Sequence, residues 1–237
     1  MRAAQGAGHV EAVIKVPEVL GGFERLFERG ARETQRGREA LELALIDGHA
    51  PDGATARDRM LAPMIEQLRT VRQIRQYATE PVPDAVVAQL LQVARWTGSS
   101  KNGQPWHFVV VRDRDALKRI SGLRSNINWL AGAPLAIAIV LDGPGTSEAH
   151  DEGRVTERLL IAAHTLGLGG GTAWFGDDSQ QAEAKRILGI PTERMARSMV
   201  AIGRPISITD PRPNPRTGGR KPLAEIVSYE RWGMPRR

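Results

Sequence analysis

Beyond position 80 the apolar residues follow two alternating rhythms. Val86, Val87, Leu90, Leu91 and Ala94 fall at helical spacing behind Pro81-Val82-Pro83-Asp84. Proline suits a first helical turn, and an aspartate there complements the positive end of the helix. Trp106 to Val111 is β-branched and predicts a strand. Asp113 to Leu123 predicts a second helix. Pro134 to Leu141, PLAIAIVL, is apolar without alternation, as expected of a strand buried on both faces. Gly153 to Leu166 predicts a third helix, with Leu159, Leu160, Ala163 and Leu166 on one side. Thr172 to Phe175 reads as a short strand. Ser179 to Leu188 reads as a fourth helix, stopped by Gly189 and Pro191. Met199 to Ile202 is the last central strand. The alternation predicts three layers, of class α+β or α/β.

The first 60 residues break this regularity. Val10 to Leu26 is interrupted by Pro17 and Gly21-Gly22, Phe23 to Ile46 is a charged helix weakened by Gly30 and Gly37, and Asp47 to Ala54 is a linker. The expected organisation is an N-terminal extension over 1–60, partly helical or disordered, and a main domain over 61–237 with an extended C-terminal tail. Met60 and Met64 are alternative starts. Between Arg204 and Gly233 there are five prolines and little periodicity. A tail of that kind builds no core and must lie on something.

Composition narrows the chemistry. The 237 residues include no cysteine, which excludes disulfide scaffolds, thiolate nucleophiles and cysteine-ligated metal sites. The longest apolar run, Trp129 to Leu141, is too short to span a bilayer, and residues 1–13 lack the apolar stretch of a secretory signal. A cytoplasmic protein without a membrane partner is expected. Residues 1–60 hold 9 Lys/Arg against 10 Asp/Glu, whereas 204–237 hold 8 against 3. A basic tail attracts anions: nucleic acid, anionic lipid or a phosphorylated small molecule. Arginine outnumbers lysine 28 to 5, which a GC-rich genome would also produce.

Four clusters carry candidate chemistry. Arg72-Gln73-Ile74-Arg75 places two guanidinium forks three residues apart, pointing the same way if the segment is a helical turn, and such forks suit a phosphate. Solvated arginines are the plainer reading. Thr97 to Trp106 (TGSSKNGQPW) gathers Ser99, Ser100, Asn102 and Gln104, which can read the edge of a planar heterocycle; an ordinary turn is the alternative. Gly167 to Gly171 closes a helix and enters a strand, the reverse of a dinucleotide fingerprint. Its glycines either let backbone approach a flat ligand or form a helix cap. Arg220-Lys221-Pro222-Leu223 is a solvated basic cluster or an anion patch. No HExxH, GxSxG or close histidine pair is present, and Lys101 and His164 read as solvated and structural. No catalytic side chain and no metal site is assigned. The residues form a cradle of the kind used when a cofactor carries the reaction.

In this order the clusters resemble the nitroreductase family of FMN-dependent oxidoreductases, over roughly residues 64 to 233. The resemblance rests on Arg72-Gln73-Ile74-Arg75 with Tyr77, on Pro81-Val82-Pro83 and on Gly98 to Trp106. It continues through Leu166 to Gly169 with Trp174, then Gly203 to Pro205, then Arg220 to Leu223. It implies an α+β, three-layer fold with a central mixed β-sheet flanked by helices, in a domain-exchanged homodimer with FMN in each of two interface clefts. It implies that Arg72, Arg75 and Arg220, helped by Lys221, hold the phosphate and ribityl chain. Ser99, Ser100, Asn102 and Gln104 would lie along the ring or ribityl arm, and Gly169 and Gly170 near the reactive N5. Gln73 replaces a family serine at the first phosphate contact, and Gly98 replaces a proline, which predicts a looser loop. The implied activity passes hydride from NAD(P)H through flavin N5 to a planar acceptor (nitroaromatic, quinone or flavin) by a ping-pong route. A reductive dehalogenase, a deazaflavin-linked enzyme and a non-catalytic flavin- or nucleic-acid-binding protein are the alternatives. For nucleic acid there is no helix-turn-helix, RNP or zinc signature.

Overall fold

Strand β2, Leu135–Leu141, is buried at all seven positions. Its residues alternate in size: Ala136 and Ala138 face one hydrophobic cluster, while Leu135, Ile137, Ile139 and Leu141 face the other. The uniform apolar run is therefore a strand inside a sandwich of helices. The computed structural model describes residues 64–65, 67–206 and 220–235, and the architecture is that of the unit beginning at Gln67. The extension expected over 1–60 lies outside the described residues.

Around β2 stand β1 (Trp106–Val111), β3 (Gly169–Trp174) and β4 (Met195–Gly203), in the order β1-β2-β4-β3. All three ladders are antiparallel, for example Phe108 opposite Ile139 and Ile137 opposite Val200. The parallel component is one isolated bridge, from Gln73, outside the strands, to Gly170 of β3. One face of the sheet packs on α1 (Asp84–Arg95) and α3 (Thr146–Thr165) through Leu90, Ala94, Leu159 and Ala163. The other face packs on α2 (Arg114–Ser121), a 3-10 segment (Ser125–Gly132) and α4 (Asp178–Leu188) through Leu117, Ile120, Leu130 and Ala184. This is a three-layer α+β fold.

Local chemistry sets the helix ends. The Asp113 carboxylate accepts from Ala116 N at 2.6 Å and opens α2. Asp177 and Gln180 form a capping box at α4, and Gly189 closes that helix at φ +65°. The last helix, α5 (Leu223–Ile226), is a single turn in an exposed segment.

Three elements are longer than their periodicity predicts. Helix α3 begins seven residues before Gly153, because two of its inward positions are acidic. Glu152 accepts from Ser198 Oγ at 2.7 Å and from Arg197 at 3.1 Å, and Asp151 is bonded to Ser100 and Arg154. Strand β4 likewise begins at Met195, since Ser198 is buried against Glu152. Strand β3 begins at Gly169, not Thr172, so only Gly167, at φ +72°, belongs to the turn that ends α3.

Candidate flavin site

The segment 71–77 lies along the outer edge of β3, so the helical turn expected for Arg72 and Arg75 is not formed. Ile74 N donates to Gly170 O at 2.7 Å, Ala78 N donates to Arg204 O at 2.8 Å, and Tyr77 bridges to Pro205. Backbone pairing with a sheet edge outweighs the weak helical preference of so short a segment. The buried Tyr77 hydroxyl donates to the Ile74 carbonyl and stands 3.3 Å from the Ala201 carbonyl, pinning the segment from beneath. Burial pushes the Tyr77 pKa well above its ordinary value, and the nearby Arg75 charge opposes this only in part.

The glycines of β3 make this approach possible. A Cβ on Gly169 would lie 2.7 Å from Ile74 Cβ, and one on Gly170 would lie 2.8 Å from Leu160 Cδ2. A side chain on Gly171 would run into the Ile74 carbonyl. The space left by Gly169 and Gly170 is thus filled by protein side chains.

Four of the predicted residues gather here with different surroundings. Gln73 Oε1 accepts from Thr172 N at 3.2 Å. Arg72 Nη1 donates to the carbonyls of Arg69 and Val71 at 2.6 and 2.8 Å. The Arg75 guanidinium lies 5.6 Å above the centre of the Trp129 ring. Gly170 supplies the bridge partner of Gln73. Neither Arg72 nor Arg75 has a carboxylate within ion-pair distance among the described residues.

The second group sits at the other end of α3. Ser100–Asn102 is a 3-10 turn, with Lys101, Asn102 and Gln104 at φ +51°, +55° and +49°. Ser99 Oγ accepts from Gln104 N at 2.8 Å, and Ser100 N donates to Asp151 Oδ2 at 3.3 Å. Asn102 and Gln104 face solvent. A cleft of about 490 Å³ beside the turn is lined by Ser99, Ser100, Ser147, His150, Asp151 and Arg154, with Thr146 at its edge. Leu160 lies under Gly170 and Asp151 lies under Ser100, nine residues apart on α3, which separates the two groups by about 14 Å along the helix. Arg220 and Lys221 are exposed at the start of the described C-terminal segment.

Sequence reasoning passed over Asp151 and Arg154. The available signal was the Asp151-Glu152 pair directly before the predicted helix, at positions that become inward-facing if the helix is extended, where unpaired carboxylates are not tolerated.

The fold recurs in known proteins. The sequence profile of the nitroreductase family matches residues 68–140. A protein of Archaeoglobus fulgidus, whose name assigns it NADH dehydrogenase or NAD(P)H nitroreductase activity, is 32% identical over 149 residues, 60% of this chain and 84% of the relative. An FMN-dependent nitroreductase from Clostridium difficile R20291 superimposes with a TM-score of 0.57 at 27% identity, covering 61% of this chain and 88% of that one. NfrA2 of B. megaterium superimposes with a TM-score of 0.62 at 26% identity, covering 71% and 74%. The profile falls on α1, the Ser99–Gln104 turn and the strands they lead into, and the relatives share the layered fold: the chain belongs to the nitroreductase family.

Proposed function

We infer that this chain is an NAD(P)H-dependent oxidoreductase that holds FMN and works as a homodimer. The observation that carries the cofactor is the pair of guanidinium groups, Arg72 and Arg75, at a sheet edge and without carboxylate partners among the described residues. Unneutralised forks in fixed positions suit a phosphate dianion. Each group also has an unsatisfied buried hydroxyl, Thr172 Oγ1 beside Gln73 and Thr97 Oγ1 just before the turn. The residues present therefore fit the group.

In this reading Arg72, Arg75 and Arg220 hold the phosphate and ribityl chain, with Lys221 in support. Ser99, Ser100, Asn102 and Gln104 line the ring or ribityl arm. Gln73 acts one layer back, because its amide oxygen is already committed to Thr172. Gly169 and Gly170 act by admitting Ile74 and Leu160, which sets the position of the arginine segment. Held by these residues, FMN would supply two-electron chemistry between NAD(P)H and a planar acceptor such as a nitroaromatic, a quinone or a free flavin, one substrate at a time. A reaction fed by reduced nicotinamide belongs in the cytoplasm. Among the described residues no helix is long and apolar enough to cross a membrane.

Two apolar surfaces of this copy stand uncovered. Leu223, Ile226 and Trp232 are 64%, 60% and 99% exposed. An apolar groove between α1 and α3, formed by Val93, Ile161, Ala162 and Leu166, is open as well. The tail of one copy lying on its partner accounts for both.

The deciding experiment is the visible spectrum of the purified protein, recorded before and after anaerobic addition of NADPH. A flavin spectrum that bleaches supports the reading. A colourless protein that takes up no added FMN overturns it.

A further inference from the structure

Three non-glycine residues within four positions, Lys101, Asn102 and Gln104, hold positive φ. Such backbone persists only where its surroundings over-determine it. Part of that restraint is local, the bond from Gln104 N to Ser99 Oγ. The rest comes from α3. Asp151 is 2% exposed; one carboxylate oxygen accepts from Ser100 N, and the other lies 3.4 Å from Arg154 Nη1. His150 Nδ1 stands 3.9 Å from the same oxygen, on an exposed side chain. The Arg154 guanidinium also lies across Gly98, where a Cβ would fall 2.6 Å from Arg154 Nη2. Gly98 therefore faces the part-exposed end of the Arg154 side chain.

We propose that Asp151 and Arg154 form a clamp that holds the Ser99–Gln104 turn in the shape that presents Asn102 and Gln104 to the ligand, and that Gly98 is the clearance the clamp needs. Asp151 and Arg154 are positioning residues acting through Ser100 and Gly98. The clamp stands on its own contacts; only its consequence for FMN rests on the functional reading above. A buried carboxylate without these bonds would be costly, so Asp151 is committed to the turn.

The test uses the full-length chain and two independent readouts, trypsin cleavage after the exposed Lys101 and the FMN dissociation constant. Asp151→Ala is expected to speed that cleavage about tenfold or more and to weaken FMN binding by a similar factor, while still melting cooperatively. Asp151→Asn, which keeps an acceptor for Ser100 N but no charge for Arg154, should fall between. Gly98→Ala and Arg154→Ala should each loosen the turn, and together no more than Arg154→Ala alone, because the displaced side chain is already gone. This pair carries the test if Asp151→Ala fails to fold. Wild-type cleavage in a folded Asp151→Ala, or additive effects of Gly98→Ala and Arg154→Ala, overturns the clamp. Faster cleavage with wild-type FMN affinity overturns its link to the flavin. Faster cleavage in a protein whose wild type takes up no FMN upholds the clamp and removes the flavin reading instead.

Discussion

Tyr77 joins three parts of the molecule at one hydroxyl: the segment that carries Arg72 and Arg75, the end of β4, and the core beneath them. Tyr77→Phe keeps the ring and removes the donor, leaving the Ile74 carbonyl without its hydroxyl partner. It should cost about 1–2 kcal/mol in denaturant unfolding and weaken FMN retention, since the arginine segment loses its pin. The sign of the pH effect follows from burial. The folded protein disfavours the phenolate, so this contribution is full below the ordinary tyrosine value of 10.0 and declines as pH rises above it. Tyr77→Phe should flatten that alkaline decline; an equally steep loss in both proteins would place its origin elsewhere. At this scale residue chemistry was legible in the sequence and geometry was not. The anion-binding capacity proposed for Arg72 and Arg75 was readable from sequence because guanidinium chemistry is local. Their orientation was not, because it depends on Gly170 and Thr172, almost one hundred positions away.

Elements were most legible where their ends are made by neighbours in sequence. Asp113, Asp177 and Gly189 act within one turn of their own helices, and α2 and α4 lie close to where the pattern puts them. Asp177 also carries a prediction. Bonds from Ser179 Oγ, then from Gln180 N, hold its carboxyl below the ordinary 3.8. Its contribution to α4 is present above that value and lost as pH falls through the lower, folded one. Asp177→Ala should lower the melting temperature at neutral pH, and the gap from wild type should close in strong acid. A gap that stays constant down to pH 2 would refute the assignment. Elements were least legible where a long-range contact rewrites the local code. Three consecutive glycines argue against a strand on propensity alone, yet β3 needs them so that Ile74 and Leu160 can close in. The start of α3 was hidden for the same reason, its inward acids being satisfied by Ser100, Ser198 and Arg197.

For the whole molecule, the order α1-β1-α2-β2-α3-β3-α4-β4 was readable from periodicity, and the layers followed from it. The sheet order was not, since it is decided by pairings such as β1 with β2 and β3 with β4. The tail was readable only as a segment with nowhere of its own to go, and Trp232 at 99% exposure bears that out for the described part. Removing residues 220–237 should turn a dimer into a monomer in sedimentation velocity and abolish FMN retention, while the core still melts cooperatively. A truncated protein that sediments as the full chain does would sink the proposed role of the tail. One further consequence belongs to α3, which carries Asp151 under one group of proposed site residues and Leu160 under the other. That helix is a ruler with a phase as well as a length. One alanine inserted between Val155 and Leu159 would slide its two halves apart by about 1.5 Å and rotate them by about 100°. Each half could keep its own contacts, but no longer both against the same sheet. The chain should then either refuse to fold or shift the error into a bulge, and a folded insertion mutant with native cofactor affinity would show that the spacing is not read at all.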